Sequence, residues 1–141
     1  MTMVETARGT VHEWQRDHMG HINIRAYMEF HDAASWQFYA MLGLSASLLR
    51  SGAVNLAMVQ QNISYQKELY PGDTVFVRSG VLEMREKVVR FRHEIVNTET
   101  GEVCSTSDCT VVCLNPVTRR SQPFPPEVAL HAEEFRLPMV Q

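Results

Sequence analysis

The sequence has few cysteines, no excess of basic residues and no long apolar run. Its 141 residues include 13 Lys and Arg against 16 Asp and Glu, for a net charge of -3 with His neutral. Nucleic-acid-binding surfaces usually carry a clustered basic excess, so this charge argues against a nucleic-acid partner. No apolar stretch approaches the length that crosses a bilayer, and the N-terminal MTMVETARGT has no basic region followed by an apolar core. We therefore expect a cytoplasmic protein with no membrane partner.

The scarcity of cysteine also limits the metal chemistry. Cys104, Cys109 and Cys113 lie within ten residues of one another, on one predicted strand. An odd number of cysteines there indicates free, partly buried thiols in a reducing compartment. Their spacing is not that of a CxxC pair, and the early histidines do not form an i, i+4 pair within one helix. We therefore predict no metal site.

A polar loop followed by a long helix dominates the N-terminal third. Residues 15–23 are polar and contain Asp17, and residues 24–42 contain neither Gly nor Pro. Apolar side chains recur there at three- and four-residue spacing over a wide arc, which predicts a helix wrapped by a sheet. Asn23 is the predicted N-cap, and Gly43 is predicted to end the helix in a left-handed conformation.

The rest of the chain predicts strands, and together these elements predict an α+β fold. Residues 1–8 are expected to be a frayed terminus, 45–51 one or two helical turns, and the proline-rich tail after 114 irregular. The predicted strands are 9–14, 54–66 with a bulge or bend near residues 60–62, 74–84, 88–97 and 102–114. We expect a single domain over residues 1–141, with its core at about 9–114 and about five antiparallel strands around one central helix.

Two motifs in this frame carry a family resemblance. The first motif is an acid, any two residues, then Gly-His-hydrophobic-Asn, followed by a Tyr four residues after the Asn. In this sequence it is DHMGHIN at residues 17–23, followed by Tyr27. The second is Ile-Ser-Tyr at residues 63–65, then Leu69 and the Gly-Asp pair at residues 72–73. With these motifs and this order of elements, the sequence resembles the hotdog-fold acyl-CoA thioesterases of the 4-hydroxybenzoyl-CoA thioesterase type.

The resemblance implies an architecture and an active site. A curled antiparallel sheet would surround the long helix, and two chains would join their sheets edge to edge as a homodimer, often paired again into a homotetramer. The active site would lie at the dimer interface, beside the helix N-terminus. Asp17 falls where the family has its catalytic carboxylate, and the backbone N–H of Ile24 would point at the thioester oxygen. No cofactor is implied beyond the coenzyme A of the substrate.

The implied chemistry leaves two roles open for Asp17. It could attack the thioester as a nucleophile and form a mixed anhydride, or it could act as a base on water. Preorganised amides would stabilise the oxyanion. His21 would position Asp17 or the loop backbone. Without the motif, Asp17 is an ordinary capping residue of a loop.

Substrate contacts are predicted for eight further residues, each with a simpler structural alternative. They are Gly20, Asn23, Tyr27, Gln61, Asn62, Arg85, Lys87 and Arg90. Asn23 could be only a helix cap and Tyr27 only part of the core. The two β-strand amides would approach the partner's helix terminus, or would form a polar edge. The basic residues would bind the phosphates of coenzyme A by charge-assisted hydrogen bonds, or would form a solvated strand face.

We therefore predict an acyl-CoA thioesterase that releases a free acid and CoA. One alternative is a hotdog-fold hydratase or dehydratase, which would use a histidine and an acid on an enoyl or β-hydroxyacyl thioester. The other is a non-catalytic domain that binds acyl thioesters. Release of free thiol from acyl-CoA separates the first function from the other two.

Overall fold

A five-stranded antiparallel sheet packed against one long helix forms the body of the molecule, as seen in a computed structural model that describes residues 3–20 and 22–138. The strands are β1 (Val4–Thr10), β2 (Asn55–Tyr65), β3 (Thr74–Met84), β4 (Val88–Asn97) and β5 (Val103–Leu114). The helices are α1 (Ile24–Met41), α2 (Ala46–Arg50) and α3 (Pro126–Glu134), and a short 3₁₀ turn covers Glu13–Gln15. Across these described ranges, no helix combines the length and the apolar character that crossing a membrane requires.

The strand order of the sheet is β1-β3-β4-β5-β2, so β1 and β2 form its two edges. The register of β2 against β5 shifts between Met58 and Gln60, which confirms the predicted irregularity of this strand. Helix α1 packs against β1, β3 and β4. The predicted α+β architecture, a sheet of five antiparallel strands on one long helix, is confirmed.

Both ends of α1 follow from local side-chain chemistry. The Asn23 side chain accepts a hydrogen bond from the backbone N–H of Ala26 at 3.1 Å, which confirms the predicted N-cap. At the other end, Gly43 has a φ of 92°. The N–H of Leu44 donates to the carbonyl of Tyr39 at 2.8 Å, as in a Schellman motif.

The sheet covers one side of α1, and part of the wide apolar face of the helix stays exposed. Phe38 and Ala34 are fully buried, but Trp36 remains 56% exposed and Ile24 64% exposed.

Strand β1 covers Val4–Thr10, so residues 4–8 of the predicted frayed terminus are ordered and the first strand does not extend to residue 14; residues 1 and 2 lie outside the described residues. It pairs with β3 from Val4 to Thr10, with a register shift between Glu5 and Ala7. The sequence prediction was wrong because this stretch has little apolar alternation. Its order comes from the β3 edge, which offers backbone partners that no local pattern reveals.

The tail contains a helix, α3, within its described part up to residue 138, which corrects both the irregular tail and the core limit at residue 114. Pro126 occupies the first helical position of α3, where its missing N–H has no intrahelical partner to lose. Val128 and Ala132 are buried one turn apart, and Phe135 packs on Phe38 with ring centroids 5.8 Å apart.

Beyond α3, the chain extends along the exposed part of β3. The N–H of Val81 donates to the carbonyl of Phe135 at 2.8 Å, and the N–H of Leu137 donates to the carbonyl of Val81 at 2.8 Å. Leu137 lies directly over Gly80, where an added Cβ would come within 2.5 Å of its side chain. The C-terminal segment therefore covers the edge of β3 that β1 leaves open.

A chain of hydrogen bonds crosses the buried space between β1, β3, β4 and α1. Thr6 Oγ1 donates to the carbonyl of Val77, and Ser79 Oγ lies 2.8 Å from Thr6 Oγ1. The Nδ1 of His93 lies 2.5 Å from Ser79, and its Nε2 lies 2.9 Å from Ser35 Oγ. Because each hydroxyl has one proton, Ser79 donates to Thr6, His93 donates from Nδ1, and Ser35 donates to Nε2. Burial lowers the pKa of His93 and so favours the neutral ring, and in that form the network places its proton on Nδ1.

His31 is a second buried histidine, and its ring stacks near that of His93 with centroids 6.2 Å apart. Ser105 Oγ donates to the carbonyl of Ser64, so the Nε2 of His31 must donate to Ser105 at 2.9 Å. The opposite nitrogen, Nδ1, is buried and meets no hydrogen-bond partner within the part of the chain that the structure describes. Burial lowers the pKa of His31 to about 4 and that of His93 to about 3.

Candidate functional site

The polar loop before α1 is anchored at its base to two other parts of the chain. Arg16 and Ile22 form an antiparallel bridge that closes the loop. The N–H of Asn23 donates to the carbonyl of Gln15 at 2.9 Å, and the N–H of Ile22 donates to the carbonyl of Leu69 at 2.8 Å. The loop is thereby fixed to the segment that follows β2.

A cleft of about 440 Å³ lies where this loop, the start of α1 and the segment after β2 meet. Its walls are Asp17, Ile22, Ile24, Tyr27, Tyr65, Gln66, Lys67 and Glu68. The structure thus brings together Asp17, Ile24 and Tyr27, which are three of the residues predicted from the first motif.

The carboxylate of Asp17 is oriented by the loop itself. Its Oδ1 accepts a hydrogen bond from the backbone N–H of Met19 at 2.8 Å, and its carbonyl accepts from the N–H of Gly20 at 3.1 Å. Gly20 has a φ of 87°, a conformation that favours glycine, so its part in the site is to shape this turn. The predicted positioning residue His21 lies outside the described residues.

The start of α1 supplies the electropositive side of the cleft. The helix begins at Ile24, so the N–H of this residue belongs to the first turn, whose amides have no intrahelical acceptors. The positive end of the helix dipole adds to their field. Asn23 is not one of the walls of the cleft. Its side-chain oxygen accepts a hydrogen bond from the N–H of Ala26 and so caps the helix.

Tyr27 connects α1 to the segment after β2. Its hydroxyl donates to the carbonyl of Lys67 at 3.0 Å, and its ring makes an edge-to-face contact with Tyr65 at 5.2 Å. Burial raises the pKa of Tyr27 to about 12, so the phenol stays protonated at neutral pH. Tyr27 is therefore an aromatic wall and a clamp, and not a base.

A second carboxylate in the cleft, Glu68, was missed by the sequence analysis. The hydroxyl of Tyr70 donates to Glu68 Oε2 at 2.8 Å, and this hydrogen bond raises the pKa of Tyr70. Glu68 stands inside the second motif, between its Tyr and its Leu, but that motif was used only to identify the fold. Lys67, beside it, forms an ion pair with Glu102 at 3.4 Å.

The predicted amides on β2 lie outside the cleft of their own chain. The Nε2 of Gln61 donates to Ser107 Oγ at 3.1 Å, so this side chain lies over β5. Asn62 is exposed at the edge of the sheet. A role for either residue requires a second chain beside β2 and stays a prediction.

The predicted basic residues lie at the opposite end of the sheet from Asp17. They flank the β3–β4 hairpin, and a strand of the length of β3 spans about 33 Å. Arg85 lies 2.5 Å from Glu83, and Arg90 lies 3.5 Å from the same carboxylate, which lowers the pKa of Glu83. Lys87 is exposed in the turn. Within one chain, these cations and the Asp17 cleft therefore belong to different regions.

The remaining titratable side chains offer no obvious metal centre. Within residues 3–20 and 22–138, no group of three His, Cys, Asp or Glu side chains is arranged to hold a metal ion. Cys104, Cys109 and Cys113 are free and buried, and burial raises the pKa of each thiol.

Comparison with known proteins places these features in a family context. The sequence model of the Thioesterase-like superfamily matches residues 11–131. A Synechocystis protein that is provisionally named an esterase is 25% identical over 112 residues, which are 78% of this chain and 67% of that protein.

Solved structures show the same fold. A hypothetical protein from Staphylococcus aureus, solved in complex with CoA, superposes with a TM-score of 0.87 at 21% identity, over 100% of this chain and 91% of that one. The 1,4-dihydroxy-2-naphthoyl-CoA thioesterase from Synechocystis superposes with a TM-score of 0.80 at 17% identity, over 93% of this chain and 96% of that one.

Proposed function

Since the chain belongs to the Thioesterase-like superfamily, we propose that it is an acyl-CoA thioesterase, which converts an acyl-CoA and water into a free acid and CoA. Thioester hydrolysis is the reaction class of this superfamily, and the acyl-CoA substrate is our inference. One observation carries the proposal: a carboxylate, Asp17, and the N-terminus of a long helix line the same cleft. The CoA complex of the Staphylococcus aureus protein with the same fold supports this choice of substrate.

The proposed chemistry uses the two sides of the cleft for two tasks. When a thioester carbonyl lies against the first turn of α1, the negative charge that develops on its oxygen would be stabilised by the N–H of Ile24, and one such preorganised donor is typically worth about 3 kcal/mol. Asp17, held by the N–H of Met19, would attack the carbonyl carbon or remove a proton from an attacking water. In either route, CoA leaves as the thiol and the acyl group leaves as a carboxylate.

We propose an aromatic acyl group, as in the 4-hydroxybenzoyl-CoA type. The edge-to-face pair of Tyr27 and Tyr65, together with Ile22 and Ile24, forms walls that suit a flat ring. The naphthoyl-CoA thioesterase among the structural matches acts on such a group.

We further propose a homodimer that pairs two β2 edges, with pairing of dimers into a homotetramer as its extension. Strand β2 has 11 residues at the edge of the sheet, and Val59 on it is 62% exposed. Long exposed edges with apolar side chains favour pairing with another chain. A twofold axis at the middle of β2 would place the Tyr65 end of one chain beside the Asn55 end of its partner.

Such a dimer would complete the site with residues of the second chain. Gln61 and Asn62 would lie next to the interface axis, against the middle of the partner's β2. The β3–β4 hairpin lies at the Asn55 end of the sheet, because the carbonyl of Lys87 accepts from Cys113, which is paired with Leu56. The partner's Arg85, Lys87 and Arg90 would then approach the Asp17 cleft from outside, where the phosphates of a long CoA chain could reach them.

The proposal is tested by a thiol-release assay on the purified protein. A panel of aromatic and aliphatic acyl-CoAs is followed with a thiol reagent, and we expect turnover with an aromatic substrate. An enoyl-CoA that loses its conjugated absorbance without thiol release would indicate the hydratase alternative. Saturable binding of acyl-CoAs without either signal would overturn the assignment as an active thioesterase.

A further inference from the structure

Helix α1 presents a buried polar stripe toward the sheet. Tyr27, His31 and Ser35 follow one another at intervals of four residues, so they lie on one face of the helix. All three are buried, and each side chain forms a hydrogen bond to the sheet or to the segment after β2. Buried polar groups cost stability unless they are matched, so these bonds indicate that the position of the helix over the sheet is specified at three successive turns.

The first of these bonds holds one wall of the candidate cleft. That wall is formed by residues 65–68, called the wall segment below. The hydroxyl of Tyr27 donates to the carbonyl of Lys67, inside the wall segment, at 3.0 Å. On the side of β5, the N–H groups of Gln66 and Lys67 both donate to the carbonyl of Cys104, at 2.9 and 3.2 Å. The wall segment is therefore held between α1 and β5.

His31 reaches the other end of the wall segment through Ser105 on β5. Its Nε2 donates to Ser105 Oγ at 2.9 Å, and this Oγ donates to the carbonyl of Ser64, the residue before the wall segment, at 2.9 Å. A serine hydroxyl can donate and accept at once, so Ser105 connects the histidine to the backbone of β2. The wall segment is thus linked to α1 at both ends, through Tyr27 and through His31.

We propose that His31 is a positioning residue for the reaction, which sets the distance between the wall segment and the first turn of α1. The inference rests on the proposed thioesterase function. Ile24, whose N–H would stabilise the oxyanion, belongs to the same helix as His31, so a wall linked to His31 is also fixed relative to that donor. A thioester held between the wall and the first turn would then meet Asp17 in one geometry. A displacement of about 1 Å by a residue remote from the chemistry can cost roughly 10²-fold in rate.

Ser35 offers a matched control, because it makes the same kind of bond one turn further from the cleft. Its Oγ donates to Nε2 of His93 at 2.9 Å, and that ring is bonded in turn to Ser79 on β3. Neither His93 nor Ser79 is among the walls of the cleft. Ser35→Ala and Ser105→Ala each remove one buried hydroxyl between helix and sheet, but only Ser105 is bonded to the backbone beside the wall segment.

The first test is steady-state thiol release on the best substrate of the wild-type panel. For Ser105→Ala and for His31→Leu, we expect kcat to fall by roughly tenfold or more, with KM changed by less than about threefold, since the wall orients the reacting group. His31→Gln can place an amide N–H where Nε2 lies, so it should restore most of the kcat that His31→Leu loses. Ser35→Ala should keep the kcat and KM of the wild type.

The second test is backbone hydrogen exchange, which does not depend on activity. In Ser105→Ala and His31→Leu, the amides of Gln66 and Lys67 should exchange at least about tenfold faster than in the wild type, because the wall segment opens more often. Ser35→Ala should leave their exchange unchanged. Thermal unfolding of the same preparations checks that each variant is folded.

Wild-type kcat or wild-type exchange in Ser105→Ala would overturn the proposal, and so would an equal loss of kcat in Ser35→Ala. If Ser105→Ala does not fold, the two His31 variants decide, and equal kcat in His31→Leu and His31→Gln would overturn it. Failure of the wild-type protein to release thiol would instead refute the proposed function. The exchange measurement would then still show whether His31 fixes the wall segment, so the two failures are distinguishable.

Discussion

Asp17 is the residue on which the proposed chemistry depends most directly. Asp17→Asn keeps the shape of the side chain and its bond from the N–H of Met19, but it removes the charge and the basicity. We expect kcat for thiol release to fall by roughly 10² to 10⁴, with acyl-CoA binding largely kept. The melting temperature should hardly move, because a carboxylate in a surface loop contributes little stability.

Near-normal turnover by Asp17→Asn would show that the motif has been transferred to the wrong residue. Loss of folding together with turnover would indicate a structural role for Asp17. The measurements are steady-state kinetics, equilibrium binding of a non-hydrolysable acyl-CoA analogue and thermal unfolding on the same preparation.

At the residue scale, the sequence predicted one wall of the cleft and missed the other. Asp17, Ile24 and Tyr27 belong to one continuous motif and one helix, so their proximity follows from local spacing. Glu68 reaches the cleft through contacts between distant parts of the chain, such as the hydrogen bond from Ile22 to Leu69. Local patterns carry no information on such a contact.

The two buried histidines predict an acid-sensitive stability. An unfolded histidine titrates near 6.5, whereas burial lowers the pKa of His31 to about 4 and that of His93 to about 3. Between these values the unfolded chain binds more protons, so the free energy of unfolding should fall as the pH drops below 6.5. The fall should level off below the folded pKa values, with roughly 3 kcal/mol contributed by His31.

Urea unfolding at a series of pH values from 7 to 4 checks this expectation. His31→Gln removes one of the two titrating groups, so its stability should depend less steeply on pH than that of the wild type. His18→Gln, a change in an exposed histidine, should retain the wild-type slope. Equal slopes in all three proteins would refute the contribution of His31.

At the scale of elements, α1 and the strands β3 and β4 were predictable because caps, turns and alternation all lie within them. Strand β1 and helix α3 were not. Strand β1 lacks an apolar pattern of its own. The prolines before α3 suggested an irregular tail, but Pro126 is compatible with the first turn of a helix. Both elements are stabilised by partners far away in the sequence, such as β3 and Phe38.

The exposed edge of β2 predicts how the chain associates. Val59→Lys places a charge on the proposed pairing edge, where natural proteins use lysine to prevent strand pairing. We expect sedimentation velocity at micromolar concentration to show a shift from dimer toward monomer. Val117→Lys, in an exposed turn with the side chain 89% accessible, is the matched control and should remain dimeric. A wild-type monomer under these conditions would refute the β2 interface.

At the scale of the whole molecule, a site shared between two chains has a direct consequence for mixed dimers. One variant carries Asp17→Asn, and the other carries Arg85→Ala with Lys87→Ala, which should raise KM more than it lowers kcat. A mixed dimer of the two keeps one complete site, with Asp17 from one chain and both cations from the other. After equilibration in equal amounts, about a quarter of wild-type activity should appear at low substrate concentration.

Purely additive activity of the mixture would mean that the cations do not act across the interface. Unchanged KM in the double variant would leave these residues as surface charge. Arg8→Ala, on β1 at the other side of the sheet and paired with Glu5, serves as the matched control and should not alter KM.

The C-terminal segment over β3 also bears on how large an assembly the chain can build. With residues 135–137 bonded to Val81, and with β1 shifted in register at Thr6, the far side of the sheet presents an interrupted ladder of backbone donors and acceptors. The backbone donors and acceptors of a straight incoming strand would not match this edge in register. The proposed pairing through β2 would then be self-limiting: it would terminate at two chains and would not propagate into an open-ended ribbon.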